Sequence, residues 1–146
     1  MWAYQKKLQF PVDIKNKDLK MAKNIITQLG GANGEIAAAM RYLTQRFGMP
    51  DNKGKALLTD IGTEELAHAE MIATMVYQLT KDASVEELIN AGLNVTRVNY
   101  SHGSWDEQSE KTENIIKLRK ELDIPVALLL DMKGPEIRTG MLYTGK

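Results

Sequence analysis

Residues Ile61–Ile72 read IGTEELAHAEMI, and they place Glu65 and His68 three residues apart inside a long apolar pattern. Leu58, Ile61, Ile72, Met75 and Leu79 continue the three-and-four spacing of one helix face on either side. Glu65 and His68 therefore fall on the stripe expected to face the core, where an unpaired charge is costly. A metal ion would compensate the carboxylate. A satisfied Glu–His pair, or a helix whose buried face is rotated from this stripe, would do so equally, because a lone Glu-x-x-His is a weak pattern.

Working outward, Pro50, Asp51, Asn52 and Gly54 mark a turn, so the helix bearing Glu65 is expected from about residue 53 to 81. Before the turn, Leu19, Ala22, Ile26, Leu29, Ile36, Met40, Leu43 and Phe47 keep one helical phase through Gly30 and Gly31. This predicts a single helix over about 18–47, at a cost of roughly 1 kcal/mol per glycine; the rival reading breaks it at GGANG. That glycine-rich segment has no Lys-Ser or Lys-Thr after it and no strand before it, which argues against a phosphate loop. Glu35 lies on a neighbouring stripe with Gly31, Ala38, Ala39 and Tyr42. Tyr42, two turns on, is placed to hydrogen-bond that carboxylate, although a solvated Glu reads equally well from spacing alone. Two long helices joined by a short turn should pack antiparallel, setting Glu35 opposite Glu65 and His68. The first residues, Met1–Ile14, read as an extended arm whose Trp2, Tyr4, Leu8 and Phe10 could pack on a larger body; Asn16 or Asp18 could cap the helix that follows.

Composition bounds the function. The chain has 146 residues, 43% hydrophobic and 26% charged, which suits a globular protein of one domain or two small ones. A formal net charge of zero gives no pull toward nucleic acid or anionic membrane. The lack of cysteine excludes disulfides and thiolate metal sites. No apolar run approaches the ~20 residues that span a bilayer, and MWAYQKKLQFPVD lacks a signal peptide's apolar core. A cytoplasmic protein is expected.

The segments KLQFPV, GGANGEIAAAMRYL and LLTDIGTEELAHAEMIATMVYQLTKDA carry a resemblance over residues 1–82. They resemble the manganese catalases, most of all the short spore-coat-type members, so a spore-coat location is a second expectation. The resemblance implies half of a ferritin-like four-helix bundle that holds two manganese ions. It implies Glu35 as a terminal ligand, Glu65 as a bridging ligand, His68 as a ligand and Tyr42 as support for Glu35. The implied chemistry is disproportionation of hydrogen peroxide. A complete member has two further helices carrying the remaining Glu and His ligands, and residues after 82 do not read as those helices.

After about Ala83 the pattern changes. Val85–Ala91 reads as a short helix stopped by Gly92, and residues 94–100 as a strand. Ser104 with Glu107 forms a capping box before a helix to about Leu122. Residues 125–130 are continuously apolar, as in a parallel strand buried on both sides. The blocks ELINAGLNVTRVNYSHG and VALLLDMKGPEIRTG resemble the start of the pyruvate kinase barrel, which implies a βαβ fragment of a TIM barrel over residues 83–146. By that resemblance Arg97 would hold the phosphate of phosphoenolpyruvate. Asn99, Ser101, Asp131 and the main chain of Met132 would bind potassium, and His102 and Arg138 would face the nucleotide. The residues alone allow Arg97 simply to pair with Asp131, and Arg138 to be an ordinary loop charge. The magnesium carboxylates and essential lysine of that family belong to later strands.

The expected fold class is thus α-rich α+β, an antiparallel helix pair followed by a βαβ fragment. The expected function is a partial dimanganese, catalase-like protein whose site self-association would complete from two sets of Glu35, Glu65 and His68. The alternatives are a pyruvate kinase fragment acting on phosphoenolpyruvate and ADP, or a catalytically inactive chimera.

Overall fold

A computed structural model describes residue 5 and residues 7–135. The expectations for Trp2, Tyr4 and Arg138 fall outside these residues. The chain forms two compact units, Met1–Ala91 and Gly92–Lys146.

In the first unit the helix expected over 18–47 is two helices, α1 (Leu19–Gly30) and α2 (Glu35–Gln45), followed by a 3-10 turn, Arg46–Gly48. Asp18 caps α1, its side chain accepting from Met21 N at 2.9 Å; Asn16 does not. The break lies at the glycines. Gly31 and Gly34 both adopt extended backbone, and a Cβ on Gly31 would come within 2.3 Å of the Thr27 carbonyl oxygen. The apolar phase survives the break because α1 and α2 pack end to end along the same partner, α3 (Asn52–Thr80).

Asp51 caps α3, accepting from Gly54 N at 2.8 Å. The antiparallel course is fixed at both ends: Asp18 N donates to Leu79 O, and Arg46 reaches Thr59 Oγ1. Small residues, Ala22, Ala39, Gly62 and Ala69, occupy buried positions on these helices, which lets the backbones approach closely. The N-terminal arm is tied to α3 by Gln78, whose amide accepts from Ile14 N at 2.7 Å and donates to Val12 O at 2.9 Å. Phe10 on that arm is exposed rather than packed, against expectation. A short helix, α4 (Val85–Ala91), buries Ile89 and packs on α1, and Gly92 follows it with φ 112°, a backbone that favours glycine.

The second unit holds β1 (Val95–Asn99), α5 (Trp105–Glu121) and β2 (Ala127–Asp131). The strands pair in parallel, with Val95 opposite Ala127 and Asn99 opposite Asp131. The Ser104–Glu107 capping box is present. Val98, Ile115 and Val126 form the small core. Leu129 and Leu130 remain half exposed, so β2 is not buried on both sides as its apolar run suggested. Two strands leave one sheet face and both edges uncovered among the described residues. The structure shows a helix-rich chain with a small two-stranded parallel sheet, and among the described residues a barrel is not formed.

Candidate metal centre

Glu35 is the first residue of α2, placed there by the chain break. Gly34 ahead of it is buried, and a Cβ at that position would lie 2.7 Å from Gln28 O and 2.9 Å from Leu29 O. Glycine thus lets α2 restart with its first side chain turned to α3. One turn further, Ala39 is fully buried, and Leu43 lies against Gly62, one turn before Glu65. This close approach of α2 and α3 brings Glu35, Glu65 and His68 together.

The His68 Nδ1 lies 2.9 Å from Glu65 Oε2 and 3.7 Å from Glu35 Oε2. One candidate donor atom from each residue falls within 4.8 Å of the others, the one such group of three His, Asp or Glu side chains found among the described residues. Their side chains are 24%, 18% and 36% exposed for Glu35, Glu65 and His68, so the cluster is walled by helix on one side and open on the other.

The two carboxyls pull each other apart in acidity. Glu35 is raised above its ordinary value, first by its hydrogen bond to Glu65 and then by burial. Glu65 is lowered, first by that same bond and then by its bond to His68. A helix N-terminus ordinarily favours an ionised carboxylate; here the neighbouring Glu65 and burial outweigh it and hold Glu35 above its ordinary value. A divalent cation held between the two carboxyls would relieve their mutual repulsion. Two carboxylates and an imidazole make a hard donor set that fits manganese.

Tyr42 is half buried, but no hydrogen bond joins it to Glu35. It lies on the same helix face as Glu35, two turns or about 10 Å further along the axis.

In the second unit, Arg97 pairs with Asp131 through both Nε and Nη2, as the residue-level reading allowed. Asn99 Oδ1 accepts from Ser101 N at 2.8 Å, and the His102 carbonyl accepts from the buried Gln108. Gln108 was not anticipated; its polar side chain gave no sign that it would be buried under the loop. Met132 is exposed. With Asp131 held by Arg97 and Asn99 by the backbone, nothing here supports the potassium and magnesium sites expected of a kinase-like region.

Comparison with known proteins agrees with the first unit. Protein CotJC of Bacillus subtilis (strain 168) is 60% identical over 100 residues, 68% of this chain and 52% of that protein. The chain therefore spans about half the length of this relative. The structure of KatB, a manganese catalase from Anabaena, superposes with a TM-score of 0.58 at 31% identity, covering 62% of this chain and 42% of that one. Pyruvate kinase of Staphylococcus aureus (strain USA300) is 45% identical over 76 residues, 52% of this chain but 13% of that enzyme. Residues 1–108 match the family described as manganese containing catalase, a span that runs past the expected join near residue 83 and takes in α4 and β1. By that match, and by the carboxylate–imidazole cluster at its centre, the chain belongs to the manganese containing catalase family.

Proposed function

We propose that Glu35, Glu65 and His68 bind manganese as one half of a dinuclear centre, which self-association completes for the disproportionation of hydrogen peroxide. The observation that carries this reading is the convergence of the three donor atoms within 4.8 Å on two helices of a family member. Manganese would supply the redox cycling that turns hydrogen peroxide into water and dioxygen. The chain's own residues do the rest. Glu65 meets both His68, at 2.9 Å, and Glu35, and its pKa is held below the ordinary value, which suits a bridging role. Glu35, at the first turn of α2, offers the second carboxylate. His68 presents Nδ1 to the same point.

The half-exposed donors and the small number of them define what is missing. A hard cation of this kind takes about six ligands, and three come from this cluster. Two copies would provide four carboxylates and two imidazoles, the set typical of ferritin-like bundles.

The similarity to pyruvate kinase supports a second, lesser reading: the β1–α5–β2 unit is a remnant of a barrel, joined to the helical unit as a chimera. In that reading Arg97 and Asp131 neutralise one another instead of receiving phosphoenolpyruvate or a cation. Neither the cluster nor the zero net charge suggests a nucleic-acid partner, and among the described residues no helix is long and apolar enough to cross a membrane. A cytoplasmic or spore-coat location fits this reading.

The test is metal content. The 146-residue chain, stripped with chelator and reloaded with manganese, is expected to retain about one ion per chain and to lose it in Glu65→Ala. Absence of retained manganese, or full retention in Glu65→Ala, refutes the assignment.

A further inference from the structure

The connection that aims Glu35 carries a reactive pair of residues. Asn33 and Gly34 are neighbours, and none of the other seven asparagines precedes a glycine. Asn33 is exposed, and its side chain makes no hydrogen bond among the described residues. Gly34 is buried and leaves no room for a side chain: a Cβ there would meet Gln28 O at 2.7 Å and Leu29 O at 2.9 Å. The packing that turns Glu35 toward α3 thus obliges a glycine after Asn33. Glycine, lacking a Cβ, is the residue that least shields its own backbone nitrogen from the preceding side chain.

We propose that Asn33 is a site of spontaneous deamidation through a cyclic imide, and that the isoaspartate it yields displaces Glu35 from the cluster. The second half of this rests on the metal-binding reading above. The chemistry needs only water. Gly34 N attacks Asn33 Cγ; the N–Cγ bond forms, the Cγ–Nδ2 bond breaks, and ammonia leaves with the amide proton. Water then opens the imide at either carbonyl. Cleavage of the new N–Cγ bond gives an ordinary aspartate. Cleavage of the original peptide bond leaves the main chain running through Cβ and Cγ, an isoaspartate.

The fold permits the first step by a local opening. Gly34 N donates to Gly31 O at 2.9 Å, and this one bond must open before the nitrogen can turn to Asn33. Ala38 N donates separately to Gly34 O at 2.9 Å, so α2 keeps its first bond meanwhile. Openings of this size need far less free energy than global unfolding. The isoaspartate then fits badly. It adds one carbon–carbon length to the main chain, about 1.5 Å, directly before the buried Gly34. Beyond that point α2 is anchored by the fully buried Ala39 and by Leu43 against Gly62. The added length is therefore taken up at the start of α2, where Glu35 sits. Metal–ligand distances tolerate only about 0.2 Å.

The experiment ages the 146-residue chain at mildly alkaline pH, folded and in urea, and reads each asparagine by peptide mass and by isoaspartyl methyltransferase labelling. In the folded chain, conversion is expected at Asn33 before any other asparagine. It should vanish from that position in Asn33→Gln, whose longer side chain closes a less favourable ring. Manganese affinity of the isoaspartate-bearing fraction should fall about tenfold or more, and hydrogen exchange at the Ala38 amide should quicken. Asn33→Asp carries the new carboxylate on an unaltered main chain, and should keep manganese affinity within about threefold of wild type. Conversion confined to the urea-unfolded chain, or to other asparagines, overturns the modification site. Unchanged Ala38 exchange or wild-type manganese affinity in the isoaspartate fraction overturns its effect on Glu35. An equal loss of affinity in Asn33→Asp overturns the backbone cause. A fresh chain that binds no manganese overturns the metal reading instead, while conversion at Asn33 and exchange at Ala38 still decide the modification and its effect on α2.

Discussion

Gly62→Ala isolates the contact that holds the two carboxylates together. A Cβ built at Gly62 stands 2.8 Å from Leu43 Cγ and 2.9 Å from Cδ2. Ordinary contacts of this kind begin near 3.4 Å, so α2 and α3 must separate locally by about 0.6 Å unless Leu43 turns aside. In stability, two effects oppose one another. Alanine gains about 1 kcal/mol over glycine as a helix former, and overpacking costs about 1–3 kcal/mol, so a net loss of about 0–2 kcal/mol is expected. Metal binding is far less tolerant, because metal–ligand distances hold to about 0.2 Å. The substitution lies one turn from Glu65, and the other helix carries Glu35. Manganese affinity should therefore fall about tenfold or more, about 1.4 kcal/mol, while the helices persist. Leu43→Ala in the same chain removes the clashing side chain and should restore much of the affinity. Manganese binding followed by the loss of the free-ion paramagnetic signal, alongside thermal melting by circular dichroism, separates the two effects. Wild-type manganese affinity in Gly62→Ala would refute the claim that this contact sets the site.

The opposite shifts of Glu35 and Glu65 predict a pH dependence. Glu65 is lowered below 4.5, so its stabilisation is present above 4.5 and lost as pH falls through its depressed value. Glu35 is raised, so its contribution is present below 4.5 and lost as pH rises through its raised value. Metal-free protein should accordingly lose the Glu65 contribution toward acid and the Glu35 contribution toward higher pH, and manganese affinity should rise with pH as the carboxyls ionise; isothermal titration in buffers of different ionisation heat would count any proton released. A pH-independent affinity with no proton release would contradict the raised pKa of Glu35. Separately, Gln78→Ala frees Ile14 N and Val12 O from α3, and should cost about 1–3 kcal/mol and speed hydrogen exchange at the Ile14 amide. Unchanged protection there would show that the arm is held by something else.

Much of this was legible in the residues, and the gaps have physical causes. Glu65 and His68 could be paired by spacing, and Glu35 could be set opposite them, because an antiparallel pair leaves little choice of facing positions. The capping box at Ser104 and Glu107 was equally plain, since its two hydrogen bonds depend on local residues alone. The break at residues 31–34 was hidden for an instructive reason. Apolar periodicity reports the partner a segment packs on, and α1 and α2 share α3, so their phases agree although the helix between them does not exist. Composition misled at Leu129 and Leu130: an apolar run states what a strand would prefer to bury, and among the described residues too few strands are present to bury it. The pairing of Arg97 with Asp131 was one of two readings, because register across strands, which decides it, is not written in either strand by itself.

Because Glu35 rides on an eleven-residue helix of its own, its aim does not follow the helical phase of α1. One residue inserted between Gly31 and Gly34 could be absorbed by the connection while α1 keeps its seat on α3, yet α2 would have to choose between its own seat and the direction of its first side chain. The interruption works as a joint: it confines the consequences of change on one side, and it makes the carboxylate adjustable where an unbroken rod would transmit every shift along its length.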